Sequence, residues 1–167
     1  VSSSKGKFVH YRRDPGDVRS LSDDRVAAIL EDSHGDLWVG TWNGLNKLDR
    51  ATGRFARYSR REGDSQSLSS NMIWSMCEDN NGRLWIATWG GGLSCYDRST
   101  DKFVNYLHDP RRSTSVGSNL LRSVYVDSRG TLWVGTYDAG VNRFDSEQQR
   151  FERIVNIAGN PQSLPHD

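Results

Sequence analysis

Apolar positions along this chain come in short runs of four to six residues, too short and too irregular in spacing for a helical stripe. The stretch from Met72 to Tyr106 is representative. Met72–Glu78 is apolar-rich and ends at Asp79-Asn-Asn-Gly82, a turn signal whose glycine accepts a left-handed backbone. Leu84–Trp89 follows, rich in aromatic and branched side chains, and Gly90-Gly-Gly92 breaks it. Leu93–Tyr96 forms a third run, Asp97–Asp101 turns the chain again, and Lys102–Tyr106 is the fourth. Four short strands joined by tight turns predict an antiparallel meander.

That meander is written three times. Glu31–Asn46 returns as Glu78–Ser94 and again as Asp127–Asn142, with Trp38, Trp85 and Trp133 spaced by 47 and 48 residues. A unit of this size cannot bury a core alone and must stack on neighbours. A four-stranded unit at this period predicts an all-β fold, a β-propeller of three complete blades. The innermost strands are expected at Val26–Glu31, Ile73–Glu78 and Leu121–Val126, and the second strands at Leu37–Trp42, Leu84–Trp89 and Leu132–Tyr137. The third strands fall at Leu45–Leu48, Leu93–Tyr96 and Val141–Phe144, and the outer ones at Phe55–Tyr58, Phe103–Tyr106 and Phe151–Ile154. The tryptophan and leucine side chains of the second strands are expected to fill the space between blades.

The blades then span residues 21–58, 59–106 and 107–154. Residues 1–20 read as the outer strand (Phe8–Tyr11) and linker of a preceding blade. Residues 155–167 read as the lead-in to a next one, because Gln162–Asp167 matches Arg19–Asp24. Three blades cannot close an ordinary ring, so the end blades are expected to pair with remaining blades or to self-associate.

Charge adds little direction: 22 basic residues face 21 acidic ones, a net of +1, which is not the concentrated basic footprint of a nucleic-acid binder. The pairs Arg12-Arg13, Arg60-Arg61 and Arg111-Arg112 fall in the inter-repeat loops and read as solvated charges. Cys77 and Cys95 occur in one repeat only, which is no disulfide framework, and read as small buried hydrophobes. No apolar run is long enough to span a membrane. Val1–Gly6 lacks the apolar stretch of a signal peptide, so an export signal is expected to have been removed or to lie upstream in a longer chain.

The motif Ser-Leu-Ser-x-Asn at Ser67–Asn71, the Glu31–Asn46 segment and the Asp49–Tyr58 segment together resemble the two-component regulator propeller repeat. The departures are mild: Ala87 stands for a glycine, Asp24 for an asparagine and Val126 for a glutamate. The resemblance implies a sensor region of a bacterial hybrid two-component system or a related one-chain signalling protein. It also implies a seven-bladed ring, a periplasmic or otherwise extracytoplasmic location, and a small-molecule or oligosaccharide ligand.

Ligands of propellers commonly sit on one rim of the channel. There the repeats place an aromatic residue at Trp42, Trp89 and Tyr137, followed by Asn43, Gly90 and Asp138, near Asp24, Asn71 and Asn119 at the entries to the inner strands. Aromatic faces beside amides or carboxylates suit sugar rings. The same residues also suit packing between blades and the capping of turns. Where the repeats disagree, at Ala27, Trp74 and Arg122, a ligand-facing position is free to vary. Trp74 then reads as a stacking platform and Arg122 as an ionic or hydrogen-bonding donor.

Asp32, Asp79 and Asp127 sit in turns that lack the alternating oxygen ligands of a calcium loop. The four histidines do not recur in phase and have no metal-ligand spacing, so neither metal nor cofactor is expected. No nucleophile with a base is evident, and the leading expectation is a noncatalytic sensor module. A propeller enzyme of lyase or lactone-hydrolase type and a protein-docking scaffold are the alternatives.

Overall fold

The computed structural model describes residues 8–166; Val1–Lys7 and Asp167, including the Val1–Gly6 start, lie outside the described residues. Among the described residues twelve strands form three four-stranded antiparallel sheets. The first contains β1 (Val26–Glu31), β2 (Leu37–Thr41), β3 (Gly44–Asp49) and β4 (Arg54–Tyr58). The second contains β5 (Ile73–Glu78), β6 (Leu84–Thr88), β7 (Leu93–Asp97) and β8 (Lys102–Tyr106). The third contains β9 (Leu121–Val126), β10 (Leu132–Thr136), β11 (Val141–Asp145) and β12 (Arg150–Ile154). Strands pair in chain order within each sheet, and neighbouring sheets approach each other through β1, β5 and β9. This is a partial β-propeller with its first strands innermost.

The second strands end one residue earlier than their apolar runs. Each stops at a threonine whose hydroxyl donates to a glycine carbonyl across the turn: Thr41 to Gly44 (2.9 Å), Thr88 to Gly92 (2.8 Å) and Thr136 to Gly140 (2.8 Å). The aromatic that follows is thereby turned out of the ladder. The glycines themselves are required twice over. They hold φ values of 119°, 66° and 63°, and a Cβ would lie 2.7, 2.4 and 2.3 Å from the carbonyl oxygens of Tyr58, Tyr106 and Ile154.

The core lies between blades. Trp38 and Leu45 of the first blade pack with Leu68, Ile73, Ile86 and Phe103 of the second. Trp85 and Leu93 of the second pack in the same way with Val116, Leu121, Val134 and Phe151 of the third. Trp38 and Trp85 are fully buried, whereas Trp133, which no further blade covers among the described residues, is only half-buried. The opposite flank behaves alike: Ile73 and Leu121 are inaccessible, and Val26 at the same position of the first blade is 43% exposed. Burial at each position is therefore decided by the neighbouring blade. The indole N–H of each tryptophan donates to the aspartate six residues earlier, Trp38 to Asp32 (2.7 Å), Trp85 to Asp79 (2.8 Å) and Trp133 to Asp127 (2.9 Å). The same aspartates accept backbone N–H groups of their own turns.

The loop entering each blade runs along the outer strand and supplies an acceptor to its edge: Phe55 N to Arg19 O, Phe103 N to Gln66 O and Phe151 N to Thr114 O, at 2.7 to 2.9 Å. Such bonds cover an otherwise unpaired edge. In the segment after the third blade, Ile157 N donates to Ser163 Oγ at 2.9 Å, as Asp14 N, Arg61 N and Asp109 N do to Ser20, Ser67 and Ser115. The segment thus repeats the loop contact seen in the other three.

One expected strand is not formed. Residues Phe8–Tyr11 pair with no sheet, and Phe8 is 88% exposed. A strand exists only by virtue of a ladder partner, and no third strand lies beside this segment among the described residues. Tyr11 nonetheless stands edge-on to Phe55 at 5.4 Å, as Tyr58 does to Phe103 (5.8 Å) and Tyr106 to Phe151 (5.9 Å). Its ring thus meets Phe55 as the outer-strand tyrosine of one blade meets the phenylalanine of the next.

Candidate functional site

The pairing of each innermost strand with the second is interrupted at one shared place. Val26 pairs with Thr41 and Ala28 with Gly40, leaving Ala27 as an extra residue. Ile73 pairs with Thr88 and Ser75 with Ala87, leaving Trp74. Leu121 pairs with Thr136 and Ser123 with Gly135, leaving Arg122. The position at which the repeats differ is thus a β-bulge in every blade. A bulge re-aims a side chain out of the regular alternation of a strand.

The re-aimed side chains meet the aromatics that follow the second strands. Trp74 lies between Trp42 (ring centroids 6.1 Å apart) and Trp89 (5.9 Å), and Trp89 stands edge-on to Tyr137 at 5.3 Å. The Arg122 guanidinium sits 4.3 Å from the Trp74 ring, 4.8 Å from Trp89 and 5.1 Å from Tyr137. One continuous ladder therefore crosses all three blades. Trp42 and Tyr137 are exposed, Trp74 and Trp89 half-buried. The Trp74 indole N–H is buried and has no hydrogen-bond partner among the described residues. The ladder is reinforced at its first end by Arg25, whose guanidinium lies 4.9 Å from the Trp42 ring. Sequence reasoning missed Arg25, since Met72 and Leu120 occupy its place in the other blades and nothing marks it as special.

The polar candidates take other places. Asp24 Oδ1 accepts from Arg13 N (2.7 Å), Asn71 Oδ1 from Arg60 N (2.7 Å) and Asn119 Oδ1 from His108 N (2.8 Å). Each pins the loop between two blades, and these oxygens are engaged by backbone. The backbone carbonyls of Asn71 and Asn119 also accept from Gly44 N and Gly90 N of the blade before. Asn43 and Asp138 are exposed beyond Trp42 and Tyr137, and Asn43 N donates to Thr41 Oγ1 at 3.1 Å.

Cys77 and Cys95 are free thiols that flank Trp85 in the strand pairing, and burial pushes both up to about 12. Among the described residues no cluster of three or more His, Cys, Asp or Glu side chains has metal-binding geometry, and no helix is long and apolar enough to cross a membrane. The ladder offers π faces and cations, groups that bind by stacking and hydrogen bonding.

A family model described as the two component regulator propeller matches three segments, residues 20–43, 67–90 and 115–138. Among solved structures, the extracellular domain of the hybrid two-component system BT3049 from B. thetaiotaomicron aligns with a TM-score of 0.77 at 30% identity. That alignment covers 87% of this chain and 20% of that one. The extracellular domain of the one-component system BT4673 from the same organism aligns with a TM-score of 0.71 at 23% identity, over 86% of this chain and 20% of that one. This second likeness shows the fold. The chain spans about a fifth of the length of these structures. A comparison with functionally curated proteins gives no match.

Proposed function

Because each of its three blades carries a repeat of the two-component regulator propeller family, we propose that this chain is part of a noncatalytic, ligand-sensing propeller of a bacterial signal-transduction protein. It acts outside the cytoplasmic membrane and binds an oligosaccharide or related small ligand on its rim. The observation that carries this reading is the ladder of Trp42, Trp74, Trp89 and Tyr137 with Arg122. Packing between blades is already supplied by Trp38 and Trp85, so the rim aromatics are not needed for the core. Exposed indole and phenol faces suit the apolar face of a sugar ring, and a guanidinium suits its oxygens. The kinship with extracellular domains of B. thetaiotaomicron signalling systems supports the sensory role and the location.

The half-covered Trp133 and the exposed Val26 and Ile29 favour further blades of the same kind on both flanks, or self-association in their absence. Calorimetric and glycan-array screening of the chain, with Trp74→Ala as control, tests the rim. Binding is expected to weaken at least tenfold in the variant; undiminished binding overturns the assignment.

A further inference from the structure

We infer that the rim ligand carries an anionic group, a carboxylate or sulfate on a sugar, which pairs with Arg122. This deepens the rim reading above and rests on it. Two arginines stack on the ladder, and they differ in one respect. Arg25 is already neutralised: its Nε and Nη2 donate to both oxygens of Asp23 at 2.9 Å. The Arg25 guanidinium in turn, against a smaller opposing effect of burial, holds the Asp23 carboxyl down at about 2. Arg122 has no carboxylate within ion-pair distance among the described residues, although Asp138 follows directly on Tyr137.

Three rings surround the Arg122 guanidinium at 4.3 to 5.1 Å. Ring contacts take up none of the N–H hydrogen-bonding capacity that a carboxylate or sulfate would use, and the donor fork matches those groups. A carboxylate or sulfate accepts two parallel bonds from that fork, which a single neutral hydroxyl does not. The bulge places this charge on the rim in the third blade alone, since the equivalent residues are Ala27 and Trp74. The ladder thus pairs a stacking surface with one uncompensated positive charge at a defined point along it.

The test is a set of tryptophan-fluorescence titrations of the chain with oligogalacturonate, oligoglucuronate and alginate fragments. Each acid is paired with its methyl ester, which keeps the ring shape and removes the charge, and sulfated chondroitin fragments are paired with fragments both desulfated and carboxyl-methylated. For at least one pair the anionic form is expected to bind tenfold or more tightly than the neutral form. Arg122→Gln is expected to bring the two within twofold of each other, by weakening the anionic form far more than the neutral one. Equal affinities in every pair, or a preference that survives Arg122→Gln, overturn the inference. If Trp74→Ala then abolishes binding of both forms, the rim reading still stands. Absence of binding by any saccharide overturns both.

Discussion

Tyr58 of the first blade donates a 2.9 Å hydrogen bond to the carboxylate of Asp101 in the second, a residue held at φ 55°. Tyr106 makes the same bond to Gln149 of the third blade, at 2.5 Å and φ 51°. In the first blade the equivalent turn residue is Gly53, over which the Tyr11 ring lies. A left-handed backbone at a non-glycine residue is thus accompanied in two blades by a tyrosine hydroxyl from the blade before.

Asp101 also accepts from Tyr96 at 2.6 Å, so it ties two tyrosines into one junction. Asp101→Ala is expected to lower stability by on the order of 2 kcal/mol, by removing the acceptor while keeping the unfavourable φ. Asp101→Gly is expected to be milder by about 1 kcal/mol, because glycine adopts that φ freely. Chemical denaturation of the two variants, compared directly, checks the order.

The packing tryptophans provide a graded series. Trp38→Ala and Trp85→Ala each empty a site enclosed by two blades and are expected to cost about 3–5 kcal/mol. Trp133→Ala removes a side chain that is only half-buried among the described residues and is expected to cost markedly less. Equal losses at all three positions, measured by thermal or denaturant unfolding, contradict the dependence of burial on the following blade.

The first junction carries a charged cluster with a defined acid limb. Arg98 of the second blade pairs with Asp32 and, at 2.5 Å, with Asp36, while Lys47 holds Asp36 at 2.7 Å. Burial works to raise the Asp32 carboxyl, but hydrogen bonds from Trp38, Arg98 and the backbone of Asp36 and His34 outweigh it, leaving it below its ordinary 3.8. A depressed value in the folded state means that the stabilisation is complete above the unfolded value and lost as pH falls through the folded one. Melting temperature is therefore expected to fall in acid below about pH 4. Asp32→Asn is expected to flatten that limb and to cost about 1–2 kcal/mol at neutral pH, since Arg98 keeps Asp36. A pH series of melting curves on both proteins measures this.

Two asparagines at one repeat position are predicted to respond differently. Asn46 donates through Nδ2 to Ser22 Oγ (2.8 Å) and Val39 O (3.0 Å), and accepts from Ser22 N. In the third blade Gly117 stands in place of that serine. Asn142 Oδ1 still accepts from Gly117 N (2.7 Å), but its buried Nδ2 has no partner. The second blade uses Ser94 here. Asn46→Ser is expected to destabilise by about 1–2 kcal/mol and Asn142→Ser to be close to neutral, because it removes an unsatisfied donor. Parallel denaturation curves distinguish the two.

The Trp38, Trp85 and Trp133 spacing, the turn glycines and the short apolar runs were sufficient to predict three blades, their innermost strands to the residue, and the packing between neighbours. These features are local and repeated, so the period of the sequence is the period of the structure. The disagreement at Ala27, Trp74 and Arg122 was also readable, as a position freed from the packing pattern. What was not readable is that this position is a bulge in every blade and that its side chains join aromatics from adjacent blades into one ladder. The polar partners of Asp24, Asn71 and Asn119, the bridge from Arg98 to Asp32, and the unpaired state of Arg122 were equally hidden. Each is a relation between residues brought together by the stacking of sheets rather than by spacing along the chain. The sequence by itself determined the blade, because hydrogen-bonded strands and turns are set within one repeat. The tertiary structure decided the rim, because bulge direction and blade-to-blade contact exist only once neighbouring sheets are packed.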